Sequence, residues 1–480
     1  MAAIAQNQDP SSQLTTAAGS PASSVLKVDM QRDAEKNEDE AVAVDPSENK
    51  FNSSEKQADS EKAAEEPPVP QTFGPMHPSQ FPDGGTQAWL VVFGGFIGLV
   101  VSFGWINCVG VFQEYYQSNQ LREYSSQEVA WIPSLEAFMM FFGGLWIGRI
   151  YDNYGPTYIL VAGGFFHVFG LMMTSLSTKY YQFILAQGVC SPFGCSMIFY
   201  PCMSATSTWF FKRRALALGL VASGSSIGGV VLPIMVQRLI PRIGFAWTMR
   251  ACAFIILGLT LITIFTVKSR FPPVAKPVKV QDFLDPWKEA SFALLSLGSF
   301  LTFLGVFIPF TFVIVAARGR GVPEDLAKYL VPILNASSTF GRTIPNYYAD
   351  KVGRFTVFVA SCFITTIFVL AIWLPASGSG AIVTFTVVFG FSSGAVFSLL
   401  PACLAQISDI QKIGVRNGVL FSVNAVAVLI GSPIAGQLII GDHGRFRTMQ
   451  GFSGAMLAAG FMVYLALWIR LGGLKKGVKI

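Results

Sequence analysis

Gly194-Cys195-Ser196-Met197-Ile198-Phe199-Tyr200-Pro201 and Gly394-Ala395-Val396-Phe397-Ser398-Leu399-Leu400-Pro401 share one frame: a Gly and a Pro at fixed spacing inside an apolar run, displaced by 200 residues. Other landmarks repeat around them. Asp152-Asn153-Tyr154-Gly155 is matched 198 residues later by Asp350-Lys351-Val352-Gly353, and Arg214 and Gly229 are matched 202 residues later by Arg416 and Gly431. Three registers that agree within four residues identify a duplicated unit.

Between these landmarks the chain is apolar in long blocks. Twelve windows, near 88–112, 129–148, 157–177, 181–208, 215–236, 246–267, 291–316, 327–347, 355–374, 380–407, 415–439 and 450–471, each suit a membrane crossing. A spanning helix needs ~20 mostly apolar residues, because each residue rises about 1.5 Å and the hydrocarbon layer is about 30 Å thick. The composition agrees: 52% hydrophobic and 13% charged residues, with 42 Phe, do not make an aqueous surface. Six spans per unit is an even number, so both copies enter the bilayer in the same direction. The expectation is an all-α membrane protein with twelve transmembrane helices in two six-helix parallel-repeat bundles. Parallel repeats place a solute site between the bundles, near mid-membrane.

Charge divides the chain further. Residues 1–86 hold fifteen Asp/Glu and six Lys/Arg, a net of −9, which leaves +15 for the rest of a chain whose total is +6. That segment is rich in Ser, Ala, Glu, Gln and Pro and has too little apolar surface to offset chain entropy. It reads as a disordered acidic tail in which Ser11, Ser12, Ser23 and Ser24 are phosphorylation candidates. Met1–Ala5 has neither a basic flank nor an apolar run, so no cleaved signal is expected. The bundles then cover 87–267 and 291–471, joined by a charged, Pro-rich linker at 268–290 and followed by a short tail at 472–480. Seventeen Lys/Arg flank the spans on the side of the termini against ten on the other, which predicts cytosolic termini, most simply at a plasma membrane. The sequons at Asn52 and Asn335 fall in the cytosolic tail and inside a span, so neither should be used.

All seven cysteines lie in apolar spans at no metal-ligand spacing and read as small packing residues. No nucleotide loop, nucleophile–base pair or metal cluster is visible, so neither an enzyme nor a nucleic-acid binder is expected. The implied partners are the lipid bilayer and a small-molecule solute. No cofactor is expected, and a proton gradient is the candidate driving force.

Gly148-Arg149-Ile150-Tyr151-Asp152-Asn153-Tyr154-Gly155 resembles the loop signature of the major facilitator superfamily, with Asn153 and Pro156 where basic residues are usual. Its second copy keeps Asp350, Lys351, Gly353 and Arg354 but opens with Asn346 in place of Gly. A carboxylate at a helix end can pair with a cation or with the positive N-terminus of a neighbouring helix, which makes Arg149, Asp152, Asp350, Lys351, Arg354, Arg213 and Arg214 the gating candidates. Asp83-Gly84-Gly85-Thr86-Gln87-Ala88-Trp89 and the stretch from Trp209 to Gly228 are similar to two motifs of the monocarboxylate porter family, fungal branch. The resemblance covers 83–470 and implies the major facilitator fold, with spans one, four, seven and ten lining the central path.

Polar residues inside a span are costly unless they face the bundle interior or water, so the few present are site candidates. Asn335, Ser338 and Arg342 share one helical face of span eight. The resemblance gives Arg342 the role of pairing a substrate carboxylate; a structural ion pair with Asp350 is the alternative reading. Asn107 stands where animal members of the resembling family carry a lysine, and Ser338 holds the approximate slot of a missing aspartate. The usual coupling of one proton to one monocarboxylate therefore has no obvious home. Glu136 is the only carboxylate well inside an apolar span and becomes the proton-coupling candidate. Gln187 with Ser191 on span four, and Asn424 with Asn417 on span eleven, complete the polar candidates. Phe103, Trp105 and Phe112 would give a cavity an aromatic wall, and a lone His167 reads as a helix-to-helix hydrogen bond. The expectation is a secondary active transporter working by alternating access on a small organic solute, a monocarboxylate or a carboxylate-bearing metabolite. Its rivals are a secondary-metabolite exporter, an importer of a neutral solute and a non-transporting nutrient sensor.

Overall fold

The computed structural model describes residues 81–273, 275, 277 and 279–475, without the side chains of Ser126 and Gln127. The acidic tail up to residue 80, its serine candidates and the final residues 476–480 lie outside the described residues. Ten helices are long and apolar enough to cross a membrane: Thr86–Ser118, Glu128–Tyr154, Thr157–Leu176, Tyr180–Trp209, Arg214–Thr266, Ala290–Arg318, Arg354–Trp373, Ser379–Gln406, Ile410–Gly441 and Arg447–Arg470. One of these, the 53-residue Arg214–Thr266, holds two spans, because Gly244 (φ 78°) breaks it into 214–243 and 245–266. Positive φ is a glycine conformation, and here it turns the chain back into the bilayer. The twelfth span is Leu330–Val352, whose 23 residues suffice for a crossing although Asn335, Arg342, Asn346, Asp350 and Lys351 make it too polar to stand out by hydropathy. The twelve spans expected from the sequence are therefore all present, numbered one to twelve in chain order, and both ends of the described chain lie at one end of the bundle.

Several spans are interrupted at polar or π-helical positions. Span one breaks after Val101 and again after Ile106, with Ser102 donating to Gly98 O (2.6 Å) and Asn107 donating to Phe103 O (2.9 Å). Span four opens through a π-helical turn, Ile184–Cys190, that carries Gln187, and span nine closes through another, Val369–Trp373. Such turns widen a helix and often mark functional positions.

Two sequence boundaries need correction. Phe81 is buried against the Phe211 and Phe271 rings, and Asp83 Oδ1 accepts hydrogen bonds from the amides of Phe211 (2.7 Å), Lys212 (2.7 Å) and Arg213 (3.2 Å). Residues 81–86 thus belong to the packed body, ahead of the boundary drawn at 86, because this ring and this carboxylate have partners in it. The linker, too, contains a helix, Gln281–Lys288, held to span two by an Arg149–Asp282 ion pair of 3.1 Å.

The bundles meet through pairs of helices, span two against span eleven and span five against span eight. Glycines set their separation. A Cβ on Gly148 would lie 2.1 Å from the carbonyl oxygen of Gly414, and one on Gly418 would lie 2.1 Å from that of Gly144. Gly148 and Gly418 therefore serve contact between bundles, whereas a Cβ on Gly144 would strike the Tyr200 ring of its own bundle at 2.1 Å. Gly224, in contrast, packs against span one, where its Cβ would meet Phe96 O at 2.1 Å. The seven cysteines are free, and all but the half-buried Cys190 are fully packed.

The Gly148 contact generates a test. Gly148→Ala places a methyl group against a backbone that cannot yield cheaply, so the bundles should fail to close at this end. In a cysteine-free background, a cysteine introduced at Ser225 should then react several-fold faster with a reagent supplied from the side of the termini. Unchanged reactivity would show that this contact does not control closure.

Candidate functional site

Asp152 and Asp350 perform the same act in the two halves. Asp152, near the end of span two, accepts from the amides of Gly414 (3.0 Å) and Val415 (2.9 Å) in the first turn of span eleven. Asp350, near the end of span eight, accepts from Ala215 (3.1 Å) and Leu216 (2.9 Å) in the first turn of span five. Each carboxylate satisfies amides that have no partner inside their own helix, and it sits at the positive end of that helix. Both contacts join one bundle to the other, as the repeat spacing implies.

The cations proposed beside them divide. Arg354 is in the latch: it pairs with Asp350 (3.0 Å) and donates to Phe211 O across the interface. Arg214 is buried and crosses it as well, donating to Phe210 O (2.8 Å) and to Ala405 O (3.3 Å) with the Phe81 and Phe211 rings beside it. Arg149 instead holds the linker helix through Asp282 and Pro277 O (2.9 Å). Lys351 is exposed and turns back onto its own helix, with its ammonium 4.0 Å from the Tyr347 ring centroid. Arg213 gives its backbone amide to Asp83. For Lys351 and Arg213 a latch role is a correction, since neither makes an ion pair across the interface among the described residues, whereas Arg149 lends its charge to Asp152 while it holds the linker. Asn346, where the motif has Gly, donates to Ala215 O (2.8 Å) and accepts from Ser398 Oγ (3.0 Å), so the substitution adds a tie between bundles.

A central cavity of about 20 Å³ lies between the bundles, lined by Arg342, Ser225, Ala222, Leu99, Met203 and six Phe rings. Phe103, Phe141 and Phe199 come from the first bundle, and Phe303, Phe397 and Phe421 from the second. Phe141 stacks on Phe421 at 5.8 Å and meets Phe303 at 5.7 Å, so the rings interlock across the midline. The space holds about one water molecule. A solute is admitted only if the rings part, and their contacts part when the bundles rotate.

Arg342 is the single charge in that lining. Its Nε donates to Ser338 Oγ (3.2 Å), while Nη1 donates to Ala222 O (2.9 Å) and to Ser225 Oγ, and the guanidinium lies 5.8 Å from the Phe397 centroid. Nη2 makes no hydrogen bond, and no carboxylate pairs with Arg342 among the described residues. The alternative ion pair with Asp350 is thus overturned, since Asp350 is committed to Arg354 and to the start of span five. Ser338 acts through Arg342 and fixes the plane of its fork.

Four polar candidates lie off the cavity lining. Asn335 donates to Asn107 Oδ1 (3.3 Å), which joins span eight to the break in span one. Asn424 accepts from Ser299 Oγ (2.8 Å) inside the second bundle. Gln187 is buried in the first bundle, accepting from Tyr116 and donating to Glu136 Oε2 (3.3 Å). In this closed arrangement these residues serve as helix-to-helix partners and lie outside the cavity lining: shared faces were legible, but which face meets the closed cavity was not. Glu136 is 1% exposed, with Gln187 as its hydrogen-bond partner and no cation beside it among the described residues. Next to this group, His167 bridges Ser191 Oγ (2.9 Å) and Val101 O (3.0 Å), the interhelical bond expected of it. Of the span-one aromatics, Phe103 reaches the cavity, whereas Trp105 and Phe112 pack on each other inside the first bundle. Sequence reasoning missed Ser225 and the five further Phe; Ser225 stood in a quoted motif, but nothing distinguishes six rings among 42.

The latch gives a second prediction. Asp350→Asn removes the charge facing both the span-five terminus and Arg354, interactions worth roughly 1–2 kcal/mol together. Distances between spin labels at the exposed positions Lys212 and Lys351 should show the separated population rising about tenfold. An unaltered distribution would refute the latch.

Comparison with known proteins follows this geometry. The sequence profile described as "Major Facilitator Superfamily" matches residues 88–432. The chain is 49% identical over 407 residues to "MFS-type transporter 1" of Ophiocordyceps sp. (strain BCC 1869), covering 85% of this chain and 90% of that protein. It is 43% identical over 385 residues to the "Fujikurins efflux protein" of Gibberella fujikuroi, covering 80% and 83%. Its fold superimposes on a crystal structure of the transporter FucP in the outward conformation with a TM-score of 0.64 at 14% identity, over 79% of this chain and 98% of the other.

Proposed function

The chain belongs to the Major Facilitator Superfamily, and from that premise we propose that it exports a secondary metabolite bearing an acidic group, in exchange for protons, across the plasma membrane with both termini in the cytosol. It is a membrane transporter for a small organic solute, as its relatives are. The efflux direction comes from a relative named for it, and the orientation from the excess of Lys/Arg on the side of the termini.

One observation carries the solute class: Arg342, held in an aromatic cavity by three hydrogen bonds, with two N–H groups of Nη2 unspent and no counter-charge. A guanidinium is always charged and its fork matches a carboxylate or a similar planar oxyanion. Six Phe rings around it suit an apolar, partly flat body and disfavour a sugar or a small hydrophilic acid. The resemblance of the Asp83 and Trp209–Gly228 motifs to those of the monocarboxylate porter family fits an acidic solute, while Asn107 in the lysine slot leaves that family's coupling residue missing.

Glu136 supplies a replacement. A carboxyl so deeply buried, with only the amide of Gln187 to stabilise its charge, is cheapest as the neutral acid while the site is dry. Opening the bundle to water lets it ionise. Binding a proton on the acidic outer side and releasing it on the cytosolic side would drive export.

Two measurements follow. In cells lacking endogenous carriers and loaded with aromatic acids and their methyl esters, the chain should export acids but not esters. Arg342→Ala should lower acid efflux at least a hundredfold with normal surface abundance, and Arg342→Lys should recover little of it because the fork is lost. Equal export of acid and ester would overturn the anionic assignment. In vesicles with an imposed pH gradient, Glu136→Gln should abolish gradient-driven accumulation yet leave solute exchange intact. Accumulation that still followed the gradient would clear Glu136.

A further inference from the structure

Two cations outside the solute path face a second cavity, of about 370 Å³, at the end of the bundle where the described chain starts and stops. It lies between the turn joining spans two and three, Gly155 to Thr157, and the stretch leaving span six, Lys268 to Pro273. All of its charged lining is positive: Lys268 and Arg270. Both are exposed, and neither pairs with a carboxylate among the described residues.

The segment bearing them is fixed in height. Trp209 Nε1 donates to Lys268 O (2.7 Å), Arg270 N donates to Thr208 Oγ1 (3.1 Å), and the Tyr151 hydroxyl donates to Ser269 Oγ (3.4 Å). The Arg270 guanidinium sits 5.8 Å from the Trp209 ring centroid, which holds the side chain without neutralising it. Opposite, the 20-residue span three begins at Thr157 with Pro156 in the cap position and no side chain on its leading amides.

The second bundle shows what the first lacks. There the same turn carries Arg354, at the register of Pro156, and Arg354 is satisfied internally by Asp350. In the first bundle the cations arrive from a different segment and have no internal acid. Tyr154 and Tyr158, 59% and 77% exposed, flank the turn, and such rings sit at the headgroup level of a bilayer. A basic cavity beside exposed tyrosines, at the ends of three spans, stands at the height expected of lipid headgroups.

We propose that this cavity binds the phosphate of an anionic phospholipid headgroup, with Lys268 and Arg270 as the cationic contacts and the start of span three as a supporting donor. The site is independent of the solute and of the direction of transport. Each cation near such a headgroup should strengthen binding about fivefold, and the two together roughly thirtyfold.

The test uses the purified full chain in neutral detergent, with thermal unfolding followed against added phosphatidylglycerol, phosphatidylcholine or inorganic phosphate. Phosphatidylglycerol should raise the midpoint at about thirtyfold lower concentration for the natural chain than for Lys268→Gln/Arg270→Gln. The charge-retaining Lys268→Arg/Arg270→Lys should behave as the natural chain, which separates lost binding from lost folding. Equal phosphatidylglycerol sensitivity in the Gln double variant would overturn the site. Full stabilisation by inorganic phosphate alone would overturn the lipid assignment in favour of a soluble anion.

Discussion

Two carboxylates, each spent on the bare N-terminus of a helix in the opposite bundle, set the arrangement on which the rest depends. Asp152 and Asp350 bind where a helix leaves amides unpaired, and neither contact survives separation of the bundles. Helix termini are rigid, so a latch built from them is either made or broken and has no intermediate grip. The glycines at 148, 414 and 418 serve the same end, since they let backbones touch where side chains would hold them apart. A closed end made from backbone contacts is tight without being hydrophobically sealed, and water can reform the lost hydrogen bonds on opening. That keeps the energetic gap between closed and open small, which a transporter visiting both requires.

The fold was legible because it rests on length, polarity and repetition. Even span eight, the most polar of the twelve, was legible as a window of spanning length, and the Asp152/Asp350 repeat gave it span two as its counterpart. The site was legible only in part. Arg342 could be singled out because a charge inside a span has few explanations, and Asp152 and Asp350 because their spacing recurs. Asn107, Asn335, Gln187 and Asn424 were equally conspicuous, yet an amide satisfies itself on any neighbouring helix. Helical periodicity tells which residues share a face, but the direction of that face depends on rotations that the kinks in span one and the π-helical turn in span four alter by fractions of a turn. The exposed Lys351 shows the same limit for long cations, whose flexible stems select partners that spacing does not encode.

The departures of the first loop motif acquire a physical reason once the two copies are compared. In the second copy Asp350 and Arg354 complete each other inside one bundle. In the first, Asn153 and Pro156 supply no cation, and Arg149 turns to Asp282 on the linker helix. The first latch is thereby tied to the segment joining the bundles, whereas the second is tied through Phe211 O to the loop that Asp83 organises. Duplicated gates have taken different supports, so the linker and the residues just ahead of span one bear on opening although neither approaches the cavity.

A division of labour between the bundles follows from the charges. The second bundle contributes Arg342, which stays charged in every state, and the first contributes Glu136, whose charge depends on access to water. They do not touch: Arg342 is held by Ser338, Ala222 and Ser225, and Glu136 by Gln187 within a group that includes Tyr116. In the proposed exchange, a direct ion pair would cancel the cation that attracts an anion and bind the carboxylate that must release a proton. Separation leaves both groups costly to bury in the closed protein, and under that proposal each cost falls only when its proper partner is present, a solute anion for one and a proton for the other. The proposed exchange then needs no contact between solute and proton, because both would act on the single equilibrium by which the bundles part and rejoin.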